Sequence, residues 1–351
     1  MEQIHGGNIY ELKKSGIELL DFSANINPLG MPEGIKKAVI DALNESYRYP
    51  DVESRDLTKK IAEFENIDES YVCIGNGAAD LIYALCLSQK FKRALIMSPT
   101  FSEYEKALRA AESEIVYIPL EADKGFKIQR EHLNLIDTSV DAIFLCQPNN
   151  PTGILTDEYM LSDIFCKCKE NNVFIVIDEC FLEFIENSQI YSLKKNIMDG
   201  NVFILKSFTK LYAIAGIRLG YCMCCNKKIM DDLNRFRQSW SISNLAQSAG
   251  IAALDEKEFV NTSLEYIKRE KQYLLENFEN LNLKVYGSSA NYLFFFSTEH
   301  KLYEKLIKRG VLIRSCKSYN VIPNGFYRIA VKTHEENERL IEELSKVLKG
   351  D

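Results

Sequence analysis

A lysine that follows a short apolar segment has the surroundings of a covalent catalyst. Lys210 ends the run Ser-Phe-Thr-Lys at residues 207–210, directly after the apolar segment 202–205, and Arg218 follows eight residues later. An amine flanked by hydroxyl groups can condense with an aldehyde, and a nearby arginine can bind a phosphate. Because a lone lysine is usually a solvated surface charge, this interpretation needs support from other parts of the chain.

Three other turns carry residues that suit the same chemistry. The turn 75–79 is Gly-Asn-Gly-Ala-Ala, whose small residues let backbone N–H groups approach a phosphate at the start of a helix. Asn150 lies in a proline-rich turn, and Asp178 follows the apolar run 173–177. A carboxylate there can hold a proton on a pyridine nitrogen, because opposite charges attract in a partly dry site. Taken singly, these features also fit a tight turn, a proline-fixed turn and a helix N-cap.

The elements that must position these turns are the strands and helices of an α/β fold. Apolar runs alternate with amphipathic stretches from about residue 71 to residue 225, which predicts a mostly parallel sheet of seven strands with crossover helices. In such a sheet, ligands bind beyond the carboxyl ends of the strands, where all four turns fall. We predict strands at 71–74, 94–97, 115–118, 142–145, 173–177, 202–205 and 219–225.

The pattern changes after residue 240. A long charged helical stretch at 257–281 is followed by short strands near 283–286, 292–296, 311–313 and 327–331, with helices at 300–309 and 334–348. This pattern indicates a smaller α+β domain. We therefore expect an N-terminal arm at 1–30, a large domain at 31–235 and a small C-terminal domain at 236–351.

Composition excludes several other functions. The 351 residues carry a formal net charge of −7, which argues against a general affinity for nucleic acid or anionic membranes. Residues 1–15 do not have the pattern of a signal segment and no apolar run is long enough to span a bilayer, so we expect a cytoplasmic protein. The ten cysteines do not form the two Cys-x-x-Cys pairs of a zinc site and there are four histidines, so we expect no metal site.

The four turns together resemble a known family. Asn150, Asp178, Lys210 and Arg218 follow one another at intervals of 28, 32 and 8 residues. This order resembles the Asn-Pro-x-Gly, Asp, Ser-x-x-Lys and Arg signature of the fold-type-I pyridoxal-phosphate enzymes. The resemblance implies that Lys210 holds pyridoxal 5'-phosphate as a Schiff base and that Asp178 pairs with the pyridine nitrogen. It also implies that Asn150 hydrogen-bonds the ring hydroxyl and that Phe101 stacks on the ring.

The same resemblance assigns further binding residues and a homodimer. Tyr49 is similar to a tyrosine that family members contribute to the phosphate site of the neighbouring subunit, and Arg328 to the arginine that binds the substrate carboxylate. Many family aminotransferases have tyrosine where this chain has Phe181, so the ring hydroxyl would have one donor fewer. The residues expected to bind the cofactor phosphate are Gly77, Ala78, Ala79, Ser207 and Arg218.

Two related families differ in the reaction they carry out. Histidinol-phosphate aminotransferases usually have Asn-Glu-Asn-Pro where residues 25–28 read Asn-Ile-Asn-Pro. The threonine-phosphate decarboxylases of cobalamin synthesis are more similar, because they share His-Gly-Gly-Asn (residues 5–8), the run at 21–30 and Thr-Lys-x-Tyr-Ala-Ile (residues 209–214). The resemblance implies decarboxylation of L-threonine O-3-phosphate to (R)-1-amino-2-propanol O-2-phosphate.

A phosphorylated amino acid needs its own anion site. Arg314 matches the arginine that binds substrate phosphate in both families, and the expected further substrate contacts are His5, Ser23, Asn25, Asn27, Asn150 and Arg328. Three alternatives stay open: transamination of histidinol phosphate, decarboxylation of L-serine O-phosphate, and a cofactor-binding regulator without activity. Threonine and serine phosphates differ by one methyl group, which a pocket distinguishes by only about 1–3 kcal/mol.

Overall fold

The computed structural model describes residues 6–7, 9–10, 19–319 and 322–350. The core of its larger part is a seven-stranded sheet, as the alternating pattern predicts. Four strands of the C-terminal region form a second sheet. A fifth strand of that region pairs with an N-terminal strand in a two-stranded sheet. The strands are β1 (Leu20–Asp21), β2 (Val72–Gly75), β3 (Arg93–Ser98), β4 (Glu114–Pro119), β5 (Ala142–Cys146), β6 (Phe174–Asp178), β7 (Val202–Ser207), β8 (Gly220–Met223), β9 (Lys284–Gly287), β10 (Tyr292–Phe296), β11 (Val311–Leu312), β12 (Arg314–Ser315) and β13 (Phe326–Ala330).

The large sheet has the order β2-β8-β7-β6-β5-β3-β4 and is parallel except for β8. β8 follows β7 after residues 208–219, which contain one 3-10 turn and no crossover helix, so the chain returns antiparallel to β7. β2 and β5 to β8 are buried along their whole length. Burial on both faces explains why they read as continuous apolar runs.

Helices cover both faces of this sheet and surround the small one. Those in the larger part place their apolar residues in two clusters, one on each face, and the cluster that contains Leu57 and Leu161 continues into the C-terminal region. The helices are α1 (Glu33–Leu43), α2 (Arg55–Glu65), α3 (Ala78–Gln89), α4 (Ser102–Ala110), α5 (Glu158–Asn171), α6 (Lys227–Phe236), α7 (Asn244–Ala253), α8 (Lys257–Asn280), α9 (Leu302–Lys308) and α10 (His334–Lys349).

The C-terminal region is built on the antiparallel sheet β12-β13-β10-β9. The single strand predicted at 311–313 is two short strands instead, because β11 pairs with β1 whereas β12 pairs with β13. α7 packs against α1 and α2, so this helix contacts the N-terminal part of the large domain. The domain limits at residues 30 and 235 stay predictions.

The described part of the N-terminal segment contacts both regions. β1 lies parallel to β11, and the N–H of Asn27 donates a 3.0 Å hydrogen bond to the backbone oxygen of Lys210. Within the described ranges, no helix has the length and hydropathy needed to cross a membrane. All ten cysteines are free thiols.

Candidate active site

A cavity of about 340 Å³ lies at the carboxyl ends of the parallel strands, and the four predicted turns meet there. Residues from the N-terminal segment and from the small sheet complete its wall, so the site forms where the two regions meet. The predicted site residues that line it are Ser23, Asn25, Gly77, Ala78, Ala79, Phe101, Asn150, Asp178, Ser207, Lys210, Arg218, Arg314 and Arg328.

Lys210 lies in the turn after β7 and presents its amine to the cavity. Its Nζ is 3.5 Å from Oγ of Ser207 and 5.6 Å from the ring centroid of Phe181. The Phe181 ring is held edge-on against Tyr292, with centroids 5.2 Å apart. An amine between a hydroxyl group and an aromatic face is positioned to condense with a carbonyl group in the cavity.

Asp178 ends β6 and is buried at the floor of the cavity. Its Oδ2 accepts a 2.6 Å hydrogen bond from the phenol of Tyr104, and its Oδ1 accepts one of 2.9 Å from the N–H of Cys180. Burial, followed by the charge of Asp178, raises the pKa of Tyr104 well above its usual value, so the phenol stays protonated and donates. The carboxylate therefore has a fixed direction and can stabilise a positive charge in the cavity.

The start of α3 and the turn after β7 form a cradle for an anion. Gly77 has φ +80°, and a Cβ on it would lie 2.3 Å from Nη2 of Arg218, so any other residue would strain the backbone and displace the guanidinium. Arg218 itself has φ +64° and donates to the backbone oxygen of Ala215 at 3.2 Å. The hydroxyl groups of Ser207 and Thr209 lie 2.7 Å apart at the same place. A helix N-terminus, two hydroxyl groups and a guanidinium suit a phosphate monoester.

Two buried arginines occupy the other end of the cavity. Arg328 donates to the backbone oxygen of Ser23 at 2.7 Å and to Oδ1 of Asn150, while its Nε has no hydrogen-bond partner in the described part of the chain. Arg314 donates to Oγ of Ser318 at 3.1 Å, and its guanidinium lies 5.9 Å from the Tyr319 ring. Burial lowers the pKa of Arg328, and an anion bound there would offset that cost.

These features fit the implied cofactor. The cradle suits its phosphate, Asp178 suits a protonated ring nitrogen, and Lys210 suits its aldehyde. Phe101 lines the cavity, and its ring is edge-on to that of Tyr104 with centroids 5.6 Å apart. Asn150 also lines the cavity and has its amide oxygen directed to Arg328.

Three expected residues have other surroundings. Ser23 Oγ donates to Asp21 at 2.6 Å and accepts from the N–H of Gly7 at 2.8 Å, although the residue borders the cavity. The amide of Asn27 donates to the backbone oxygen of Leu211 and to Oγ of Ser263, both at 2.7 Å. Asn27 is thus buried behind the Lys210 turn and is not among the residues that line the cavity.

The third of these residues, Tyr49, does not line this cavity. Tyr49 is 82% exposed, and its ring lies 5.1 Å from that of Trp240, away from the cavity of its own protomer. His5 lies outside the described residues. By contrast, the Asn25 side chain lines the cavity, and its buried Oδ1 has no hydrogen-bond partner among the described residues.

Sequence reasoning missed several residues of the site, and three of them show why. Tyr104 is buried on α4, and its only signal was its place three residues after Phe101. Cys146 ends β5 and Tyr319 follows Arg314 by five residues, and both line the cavity. A search of every strand end would have found Cys146, whereas Tyr319 had no signal in the sequence.

Comparison with known proteins gives concordant matches. The family "Aminotransferase class I and II" matches residues 17–344. Threonine-phosphate decarboxylase from Salmonella typhimurium is 36% identical over 99% of this chain and 97% of its own length. The histidinol-phosphate aminotransferase from Clostridium acetobutylicum has a TM-score of 0.88 at 29% identity, covering 95% of this chain and 100% of that one.

A third comparison shows the fold at lower identity. The structure of histidinol-phosphate aminotransferase from Sinorhizobium meliloti, in complex with pyridoxal-5'-phosphate, has a TM-score of 0.85 at 19% identity. The match covers 96% of this chain and 93% of that one. The large sheet and the small C-terminal sheet therefore belong to one known architecture.

Proposed function

Because this chain belongs to the class I and II aminotransferase family, we propose that it decarboxylates L-threonine O-3-phosphate to (R)-1-amino-2-propanol O-2-phosphate in cobalamin synthesis, with pyridoxal 5'-phosphate as cofactor. The observation that supports this most strongly is the pair of buried arginines, Arg314 and Arg328, in the same cavity as Lys210. A phosphorylated amino acid carries two anionic groups, and two guanidinium groups can bind both.

Pyridoxal phosphate, when bound, supplies an aromatic ring that accepts the electrons of a bond broken at the substrate Cα. Lys210 would hold it through Nζ, and the cradle of Gly77, Ser207 and Arg218 would bind its phosphate. Asp178, oriented by the phenol of Tyr104, would keep a proton on the ring nitrogen. Together these residues would fix the orientation of the group.

The substrate is oriented by its two anions. Arg314 would bind the phosphate and Arg328 the carboxylate, with Asn25 as an additional polar contact. Binding energy from the remote phosphate would orient the substrate so that the bond between Cα and its carboxylate is the one that breaks. Lys210 Nζ lies in the same cavity and can return a proton to Cα after carbon dioxide has left.

A homodimer and a cytoplasmic location are parts of this proposal. The exposed Tyr49 would reach the cofactor phosphate of the neighbouring subunit, which accounts for its distance from the cavity of its own protomer. His5 would contribute to substrate binding near the segment of Gly6 and Gly7, which borders the cavity.

Transamination of histidinol phosphate is the second candidate. The 29% identical structure of a histidinol-phosphate aminotransferase favours it, and Arg314 suits either phosphate. Phe181 weighs against it, because its ring cannot donate a hydrogen bond at the place where many family aminotransferases have a tyrosine. Decarboxylation of L-serine O-phosphate is a close variant of the first candidate, since the substrate differs only by a methyl group.

One experiment separates these activities. The holoenzyme is mixed with L-threonine O-phosphate and no keto acid, and carbon dioxide and 1-amino-2-propanol O-2-phosphate are measured. We expect many turnovers per active site with the cofactor still in its aldehyde form. Conversion of the cofactor to its amine form without carbon dioxide would contradict decarboxylation. Carbon dioxide release from L-serine O-phosphate tests the close variant, and amine transfer from histidinol phosphate to an added keto acid tests transamination.

A further inference from the structure

A cluster of buried charges lies behind the candidate site, on the opposite face of the large sheet. Asp178 and Glu179 are adjacent at the end of β6, and Lys206 and Ser207 are adjacent at the end of β7. Successive side chains of a strand point to opposite faces. Asp178 and Ser207 accordingly line the cavity, whereas Lys206 borders a second cavity of about 700 Å³ elsewhere.

Glu179 and Lys206 form an ion pair between the two strands. Nζ of Lys206 lies 3.3 Å from Oε2 of Glu179, and the side chains are 11% and 0% exposed. The carboxylate also accepts hydrogen bonds of 2.8 and 2.9 Å from the hydroxyl of Ser192 and one of 3.2 Å from the N–H of Leu193. Because water scarcely reaches this pair, its attraction is little screened.

The ion pair lies where the backbone ladder between β6 and β7 stops. The register of the two strands ends at Asp178 and Leu205, and the last backbone bond runs from the N–H of Glu179 to the oxygen of Leu205 at 2.9 Å. Beyond it, Lys206 and Ser207 pair only with β8. Side chains must therefore hold the ends of β6 and β7 together.

Lys206 is also the central cation of the cluster. Burial acts against its charge, but the carboxylates of Glu179, Glu183 and Glu65 outweigh it and raise the pKa of Lys206. Glu65 forms a second ion pair with Lys194. The cluster thus contains three carboxyl groups and two ammonium groups, and removal of Lys206 would leave the buried Glu179 without its ionic partner.

We propose that Lys206 is a positioning residue for the active site and acts through its ion pair with Glu179. The pair joins β6 to β7 one residue from Asp178 and one residue from Ser207, and so sets the distance between the Asp178 carboxylate and the turn that carries Lys210. Lys206 does not line the cavity, so its effect is indirect. This role for Lys206 rests on the proposed function, in which Asp178 and Lys210 hold the cofactor.

The test compares stability with cofactor affinity in the full-length protein. Pyridoxal phosphate is titrated into apoprotein and followed by absorbance, and the thermal midpoint Tm of each apoprotein is measured. The variants are Lys206→Met, Lys206→Arg, the double variant Lys206→Met with Glu179→Met, and Lys195→Met as control. Lys195 borders the same second cavity but is 59% exposed, so its variant should behave as wild type.

We expect Lys206→Met to lower Tm and to weaken cofactor affinity by about tenfold or more, because a displaced carboxylate or amine binds poorly. The double variant removes both charges of the pair, so neither is left unpaired and Tm should recover. Its cofactor affinity should stay low. Lys206→Arg should retain most of both. Recovery of affinity together with Tm in the double variant would overturn the proposal and leave the pair a purely structural role.

A second variant covers the case in which Lys206→Met does not fold. Glu179→Asp keeps the charge but shortens the side chain by one methylene, so it should lower Tm less than Lys206→Met does and still weaken cofactor affinity. Wild-type affinity in Glu179→Asp would contradict the proposal. If wild-type protein binds the cofactor but does not react with threonine phosphate, only the proposed substrate is wrong; if it does not bind the cofactor, both proposals fail.

Discussion

The phenol of Tyr104 donates a 2.6 Å hydrogen bond to Oδ2 of Asp178. Tyr104 is fully buried, and it joins α4 to the end of β6 beneath the cavity. A carboxylate held by such a donor keeps one orientation, which is what pairing with a ring nitrogen requires. The bond therefore links the packing of a helix to the chemistry of the site.

Replacing Tyr104 by Phe tests this link. The change leaves a buried carboxylate oxygen without its donor, which we expect to cost about 1–3 kcal/mol of folding free energy and to lower kcat more than it raises the substrate KM. Tyr117→Phe is the matched control, because Tyr117 is only partly buried and its hydroxyl contacts Arg109 near the surface. Equal losses in both variants would rule out a special role for the Tyr104 phenol.

Lys210 should be the point of covalent attachment. Borohydride reduction of the holoenzyme should join the cofactor to the peptide that contains Lys210, as mass spectrometry would show. Lys210→Ala should lower kcat on the order of 10³-fold or more. Lys228→Ala is the control, because Lys228 is exposed on α6. Attachment of the cofactor to any other lysine would disprove the assignment.

The sequence predicted the elements whose burial is complete and the turns that share one edge of the sheet. Short, fully apolar runs such as 173–177, which alternate with helical stretches, are typical of strands buried on both faces, and the carboxyl ends of parallel strands meet. It could not predict contacts that depend on the direction of a side chain. Helical periodicity places Tyr104 on a buried face, but it does not indicate which side chain the hydroxyl group of Tyr104 contacts.

Long-range hydrogen bonds were equally inaccessible. Asn27 lies in a turn-forming run, which suits contact with substrate as well as internal bonding, and its amide bonds to Leu211 and Ser263. Arg328 and Asn150 are 178 residues apart in sequence and meet in the cavity. Such pairs are set by the packing of two regions, which local patterns do not encode.

Gly77 should be essential for the phosphate cradle. In Gly77→Ala the new Cβ would meet Arg218 Nη2 at 2.3 Å, so the guanidinium must move and cofactor affinity should fall by about tenfold or more. Gly125→Ala is a matched control. Gly125 also has a positive φ, of +64°, but a Cβ there meets nothing within 4 Å among the described residues. Both variants should lose similar stability from backbone strain, and only Gly77→Ala should lose cofactor affinity.

Arg314 should determine affinity for the substrate phosphate. Arg314→Ala should raise KM for threonine phosphate by about 30-fold or more, since loss of a buried charged partner costs about 2–5 kcal/mol, and cofactor affinity should stay unchanged. Arg309→Ala, at the end of α9 and near Glu343, is the control for loss of a positive charge in the small domain. An unchanged KM in Arg314→Ala would place the phosphate elsewhere.

Glu183 should make folding stability depend on pH near neutrality. Burial raises the pKa of Glu183 from 4.5 to about 7 in the folded protein, so the native state binds a proton that the unfolded state has lost between these values. Stability from this group is therefore fully present below about pH 4.5 and is lost as pH rises through 7, at no more than about 1.4 kcal/mol per pH unit. Urea unfolding of apoprotein at pH 5, 6, 7 and 8 measures the slope. Glu183→Gln cannot titrate, so its stability relative to wild type should increase from pH 5 to pH 8. If the difference in unfolding free energy between the two proteins stays constant over this range, Glu183 does not titrate there.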